Sequence, residues 1–442
     1  MGFILRMIEI GLTIFYILIG CFIISKSSFF KLPSIPTYWL IIIFGIKIIL
    51  SILITLIYTY YYQDRAVADI FKYFDDSKIM FNALKTNVLD YVQMVVGLDL
   101  NSAYFQEHYY SKMHYWDRVN NSNFLSDTHV MIRFNAIVRL FSFGFFHVHN
   151  VFINFLSLTG LIAIFKVFYN LYLGKEKLLF FIVFLIPSLL FWGSGLLKEG
   201  IIILALGVFL IHFFILTDKW SLTSILLILF SCIVILFTKM ILLIALIPGV
   251  LGYLLNKKLK NIHLSYLYTT IFIISISLIL YFINYPLNPI DIIINKQQDF
   301  IYLVEKIDVR SAIYQPKFNN LWDLLAYTPQ ALINVFFRPF LWESYSVFTL
   351  FSALENVLIV LFCVVLLFFR TKKTSFSTLF YFSILFALVL AIVIGLTAPI
   401  LGAIVRYKIF VLLFFLLAIG NQFDTDRFLN FFKSFTPFVT KK

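Results

Sequence analysis

The chain has 442 residues, 62% of them hydrophobic and only 13% charged, with a mean hydropathy of +0.96. This excludes a water-soluble enzyme with one or two buried cores, because uncharged runs of about eighteen residues or more, enough to cross a bilayer, recur along it. The net charge of +13 does not indicate nucleic acid, since the basic residues sit in short clusters between apolar runs instead of forming a basic surface.

In chain order, apolar runs predict spans at about 7–25, 38–61, 146–169, 178–193, 200–217, 221–238, 240–255, 264–282, 348–369, 376–396 and 402–420. The first is read as a retained span, because Lys26-Ser27-Ser28-Phe29-Phe30 follows it and no small-residue cleavage site does. Cationic residues collect in every second connector: Lys26 and Lys31; Lys175 and Lys177; Lys219; Lys257, Lys258 and Lys260; Arg370, Lys372 and Lys373; and Arg427, Lys433, Lys441 and Lys442. Positive residues in short loops stay cytoplasmic. The expected fold is therefore an all-α integral membrane protein, a single polytopic domain over 1–442 with about eleven transmembrane helices, N-terminus outside and C-terminus in the cytoplasm.

The opposite side receives two large loops, at about 62–145 and 283–347. Loops of that length are uncommon unless they have a task. Aromatic and acidic residues at helical spacing predict that both contain amphipathic helices lying partly on the membrane surface. Cys21, Cys232 and Cys363 fall in apolar segments without metal-ligand or CxxC spacing, so no disulfide framework or zinc site is expected.

In the first loop, Asp69, Tyr73 and Asp76 stand at i, i+4 and i+7 of a predicted helix, with Val67, Ile70, Phe71 and Phe74 supplying an apolar surface. Carboxylates beside apolar walls suit general-base work on a hydroxyl; the plainer reading is an amphipathic surface helix with solvated acids. His108, His114, His129, His147 and His149 match no ligand pattern, and no metal site is assigned.

Four cations on the same side, Lys198, Lys239, Arg338 and Arg406, stand at or near the ends of apolar spans. Singly they read as interfacial anchors; together they suit a phosphate or diphosphate. Arg338-Pro339-Phe340-Leu341-Trp342-Glu343 adds an aromatic pair and an acid, suited to a sugar ring or to an aromatic belt with a local ion pair, and Lys198-Glu199 reads as a charge pair at a helix start. Lys47 is the charge deepest inside a span.

Asp69 to Asp76, Pro187 to Glu199, Arg338 to Glu343 and Gly402 to Lys408 together resemble a family of polytopic membrane proteins of bacterial surface-polysaccharide clusters, related to type C glycosyltransferases and O-antigen or exopolysaccharide polymerases. The resemblance implies a bacterial cytoplasmic (inner) membrane, a polyprenyl-linked saccharide as substrate, and sugar transfer on the extracytoplasmic face from a polyprenyl phosphate or diphosphate donor. It implies a base in the first large loop, mapping to Asp69 or, failing that, Asp64 or Asp76. Type C enzymes usually place that loop after the first span, whereas here it follows the second.

Arg338, Arg406, Lys198 and Lys239 are then the expected phosphate ligands, and Tyr73, Trp342, Glu343 and Glu199 the expected sugar contacts. No cofactor is expected; a divalent ion is compatible with the chemistry but has no support in the sequence. The partners implied are the lipid bilayer and polysaccharide-assembly proteins, with no nucleic acid. Two rivals stand beside transfer. A transporter or flippase of lipid-linked oligosaccharide predicts mid-membrane charges or broken helices, and a non-catalytic scaffold of an assembly complex needs no site.

Overall fold

The computed structural model describes residues 2–61, 65, 68–98, 102–116, 127–306, 311–371 and 376–435. Asp64, Val67, Lys372, Lys373, Lys441 and Lys442 lie outside them. Helices dominate, with no strand among the described residues and three isolated bridges. The elements are α1 (Gly2–Lys26), α2 (Thr37–Leu56), α3 (Asp69–Asn82), α4 (Val88–Val96), α5 (Ala103–His108), α6 (Asp127–Ser142), α7 (Phe146–Tyr169), α8 (Glu176–Phe184), α9 (Pro187–Trp192), α10 (Lys198–Asp218) and α11 (Leu222–Leu259). After them come α12 (Ile262–Phe282), α13 (Pro289–Lys306), α14 (Leu321–Phe336), α15 (Val347–Phe368), α16 (Thr378–Thr397), α17 (Leu401–Tyr407), α18 (Ile409–Gly420) and α19 (Thr425–Phe435).

Among the described residues, eight helices are long and apolar enough to cross a membrane: α1, α2, α7, α10, α11, α12, α15 and α16. The pair α17 and α18, bent by 48° at Lys408, makes a ninth if counted as one broken span. The chain is thus a multi-pass membrane protein. The run expected at 178–193 is divided into α8 and α9 at Leu185–Ile186, ahead of Pro187, whose ring cannot donate to the helix. At about 1.5 Å per residue neither piece reaches across a hydrocarbon core of about 30 Å. The two runs expected at 221–238 and 240–255 are the two helical stretches of α11, separated at Lys239, where the backbone leaves helical geometry (φ −160°, ψ 75°).

The chain divides into two compact units. The first comprises Met1–Val167 and Leu190–Leu243. Lipid supplies no hydrophobic push between helices, so close packing depends on small residues. A Cβ built on Gly207 would lie 2.2 Å from the carbonyl oxygen of Gly160, and one on Gly160 would lie 2.3 Å from that of Ile203, so α7 and α10 touch backbone to backbone.

The loop between α2 and α7 builds its own core. Ile70, Tyr73, Phe74, Met80, Met94, Phe105, Trp116 and Met131 are buried in one cluster with Ile54, Ile153, Leu196, Leu197 and Ile201 of the spanning segments. Trp116 is stacked between Tyr110 (4.0 Å) and His129 (3.8 Å). The α3 to α6 segment is therefore a folded cap seated on the ends of α2, α7 and α10. Asn87 caps α4 by accepting from the Leu89 amide (3.0 Å), and Gly97, at φ +88°, closes it where a side chain would strike Arg133.

The second unit comprises Phe168–Leu189 and Ile244–Lys442. Its centre is α14, α16 and α18, with Gly395 of α16 so close to α14 that a Cβ would lie 2.3 Å from the Ala331 carbonyl oxygen. Asn320 starts α14 by accepting from the Trp322 and Asp323 amides, and Ser346 and Thr349 cap α15 reciprocally. The chain from Ser311 to Phe318 runs extended beside the turn before α17: the Ile313 amide donates to Pro399 and the Leu401 amide to Ser311, both at 2.8 Å.

Candidate functional site

Two groups of candidate residues are assembled, one in each unit. In the first, Asp69 opens α3 and remains half-buried, while Tyr73 and Asp76 follow on the same helix, fully buried. The amides of His114 and Tyr115 donate to Asp76 Oδ1 and Oδ2 at 2.9 and 2.8 Å, and Lys72 Nζ lies 3.5 Å from the centre of the Tyr115 ring. Burial pushes the Asp76 carboxyl up to about 6, against the opposing pull of the His114 amide and the nearby Lys72. Both oxygens are engaged and the group is sealed, so Asp76 pins the 113–116 segment. Of the two carboxylates on this helix face, Asp69 has the access that a base needs.

Lys198 and Glu199 start α10, the first half-buried and the second buried. The preceding turn is shaped from below. Lys47, fully buried in α2, donates to the Gly193 carbonyl oxygen (2.7 Å) and to Ser194 Oγ (3.3 Å), and Gly195 sits at φ +78°. Leu196, Leu197 and Ile201 share the loop core with Ala68, Ile70 and Tyr73, so one buried cluster carries both the Asp69 helix and the Lys198 helix start. Val234, one turn before the half-buried Lys239 at the α11 kink, packs against the same cluster.

Sequence reading missed the polar scaffold under this face. Arg139 of α6 donates to Ser77 Oγ (2.7 Å) and the Phe74 carbonyl oxygen (2.5 Å), tying α6 to α3. His149 bonds to Ser142 Oγ and Asn135 Oδ1, both at 2.7 Å. Asp90 accepts from Tyr104 (2.9 Å), Tyr109 (2.7 Å) and Asn87 (2.8 Å); burial, then the bond to Asp90, pushes the Tyr109 hydroxyl up to about 12. Among the described residues no group of three or more His, Cys, Asp or Glu side chains is placed to hold a metal ion.

In the second unit, Arg338 and Glu343 form a bidentate pair: Nε donates to both carboxylate oxygens (2.9 and 3.1 Å) and Nη2 to Oε1. Glu343 also accepts from the Phe340 amide (2.9 Å). Burial would raise the Glu343 carboxyl, but the guanidinium and that amide hold it below the usual range. The ion-pair reading of this hexapeptide is thus realised, with the guanidinium committed to Glu343. Trp342, 82% exposed, stacks on Phe340 at 4.8 Å, so the turn presents an aromatic face outward.

The turn is held by a lysine not singled out as a site residue. Lys408, fully buried between α17 and α18, donates to the Arg338 carbonyl oxygen (2.9 Å) and to Asn356 Oδ1 (2.7 Å), and Asn356 Nδ2 donates to the Phe337 and Pro339 carbonyl oxygens. Beside Asn356 on α15, buried Glu355 accepts from the Ser188 amide (2.8 Å). Arg406 lies half-buried in α17, two residues before Lys408. Lys408 was legible as the end of the Gly402–Lys408 stretch, but nothing local marks it as buried.

The chain matches no family profile, no curated protein and no solved structure.

Proposed function

We propose that this protein is a membrane glycosyltransferase or polysaccharide polymerase that moves a sugar from a polyprenyl phosphate or diphosphate to a saccharide hydroxyl on the extracytoplasmic face of a bacterial cytoplasmic membrane. The observation that supports it most is the single core that seats both the Asp69 helix and the Lys198–Glu199 helix start on the ends of spanning helices. In this reading Asp69 takes the acceptor proton as the hydroxyl oxygen bonds to the anomeric carbon. The bond from that carbon to the phosphate oxygen breaks, and the lipid phosphate departs with its electron pair, its charge met by Lys198 and Lys239. Arg406, Trp342 and Glu343 form a separate candidate group in the second unit, where Arg338 is engaged by Glu343 and is not counted as an anion ligand. Tyr73 and Glu199 are buried and are not counted as sugar contacts. The proposal retains eleven crossings, with the N-terminus outside, by counting α8 with α9 and each half of α11.

A second reading, transport or flipping of a lipid-linked oligosaccharide, is favoured by one specific observation. Lys408 and Glu355 are charged residues buried among membrane helices, and Lys408 stands at the break of the bent α17–α18 pair.

The two readings part on one experiment. In membranes supplied with lipid-linked saccharide, Asp69→Asn and Lys198→Ala should each lower conversion at least about a hundredfold, in the range for loss of a general base or a charge-stabilising donor. Undiminished conversion by both variants at normal protein level overturns the transferase. Lipid-linked repeat units trapped on the inner leaflet of cells lacking the protein would establish the flippase instead.

A further inference from the structure

In the second unit, the end of α13 and the extended 311–317 segment enclose a cleft of about 420 Å3 lined by Ile301, Glu305, Tyr314, Gln315, Lys317 and Pro399, among others. That volume falls within the range of small-molecule sites. The walls are fixed by hydrogen bonds: Gln297 Nε2 donates to the Pro316 carbonyl oxygen (2.6 Å), Gln298 Nε2 to that of Phe318 (3.0 Å), and the Phe318 amide to Gln297 Oε1 (3.1 Å).

Three features of the cleft specify a ligand. Gln315 is 7% exposed; its Nε2 donates to the Leu396 carbonyl oxygen at 2.6 Å, while Oε1 is buried without a hydrogen-bond partner. A buried acceptor left unpaired is costly, and a ligand hydroxyl or amide N–H entering the cleft would relieve that cost. Tyr314, the residue before it, lines the same cleft and is 89% exposed, a flat apolar face open at the rim. Glu305 and Lys317 neutralise each other across 2.9 Å, so among the described residues the rim offers two polar groups and no net charge.

An unpaired acceptor, an open aromatic plane and a charge-balanced rim suit an uncharged, hydroxyl-rich ring. They do not suit a phosphate, which needs unbalanced cations. We propose that this cleft is a saccharide subsite, holding an uncharged sugar residue of the acceptor glycan against Tyr314 with a hydroxyl donated to Gln315 Oε1. The proposal rests on the transferase reading above. Because the turn before α17 forms one wall through Pro399, a bound glycan is anchored seven residues from Arg406 along a hydrogen-bonded segment.

The test uses the full chain in membranes of cells that make lipid-linked saccharide, with p-benzoylphenylalanine in place of Tyr314 as photoprobe and periodate-hydrazide labelling to detect captured carbohydrate. Irradiation should attach glycan at position 314 but not at Tyr268, an exposed tyrosine of α12 outside this cleft, and Gln315→Leu should remove the label. In parallel, Tyr314→Ala, a surface change that leaves folding intact, should raise the KM for the acceptor about tenfold with kcat nearly unchanged, as loss of uniform binding does. If wild-type membranes convert lipid-linked saccharide while position 314 captures no glycan and Tyr314→Ala leaves the KM unmoved, the subsite is wrong and the transferase stands. Glycan captured at position 314 in membranes that convert nothing shows that the cleft binds sugar but removes the transferase reading and, with it, the acceptor role proposed for the cleft.

Discussion

Lys47 Nζ, deep in α2, donates to the carbonyl oxygen of Gly193 at 2.7 Å. Between Trp192 and Lys198 the chain leaves helical geometry, so buried carbonyl groups there lose their helical partners. The lysine satisfies one of these, and Ser194 Oγ donates to the Leu190 carbonyl oxygen of α9 at 2.6 Å. The deepest charge in the chain thus maintains the turn that starts α10 at Lys198.

Lys47→Met keeps the apolar stem and removes the donor. Loss of a hydrogen bond to a charged group costs roughly 1.5–3 kcal/mol, so the variant should unfold at lower temperature in detergent and show more labelling of a cysteine placed at Leu197. A melting temperature equal to wild type would mean that the turn does not depend on the ammonium.

Gly207→Ala inserts a methyl group 2.2 Å from the Gly160 carbonyl oxygen, and Gly395→Ala does the same against Ala331. Neither neighbour is a flexible side chain, so the helices must separate. Each variant should lose about 1–3 kcal/mol of stability, read by thermal aggregation of the solubilised protein. Gly11→Ala, with open space around it, should be neutral.

Asp76 holds its proton more tightly in the folded chain, at about 6, than at its ordinary value of 3.8. The folded state therefore binds more protons between these values, and the carboxyl's contribution is complete below about pH 3.8 and lost as pH rises through about 6. Asp76→Asn cannot ionise. The stability of wild type minus that of the variant should fall between pH 4 and 6 and then level off; a difference that grows with pH would show the ionised form to be the favoured one.

Arg338→Lys keeps the charge but loses the fork that grips both oxygens of Glu343. Conversion of lipid-linked saccharide should fall at least about tenfold, roughly 1.4 kcal/mol of barrier, and Glu343→Gln should do likewise. Trp342→Ala should leave stability unchanged, because the side chain is already in solvent, and raise the substrate KM. Wild-type kinetics for all three variants would show that this turn takes no part in conversion.

Long apolar runs made the membrane class and most spanning helices readable from composition and periodicity alone, because the bilayer imposes one length and one polarity on whatever crosses it. The Asp69–Asp76 helix face was readable for a similar reason: its period is local, and α3 starts at Asp69. Which of its carboxylates is sealed was not, since Asp76 meets the His114 and Tyr115 amides across more than thirty residues of chain.

Charge placed by sequence alone was assigned by depth. Lys239, read as a connector, is where the backbone of α11 breaks, and a hydropathy profile does not distinguish a helix broken at one residue from two helices joined by a turn. Arg338 looked available to a phosphate and is engaged by Glu343. Lys408 was noticed only as the end of a motif, and Asn356 and Gln315 not at all, since their roles arise only where α15, α17 and the 311–317 segment meet other parts of the chain. Sequence by itself determined that this protein lives in a bilayer and which residue types it keeps beside one. Only tertiary structure decided which of those polar groups pair with each other and which face a cleft, because pairing depends on distances between chain segments that no local pattern encodes.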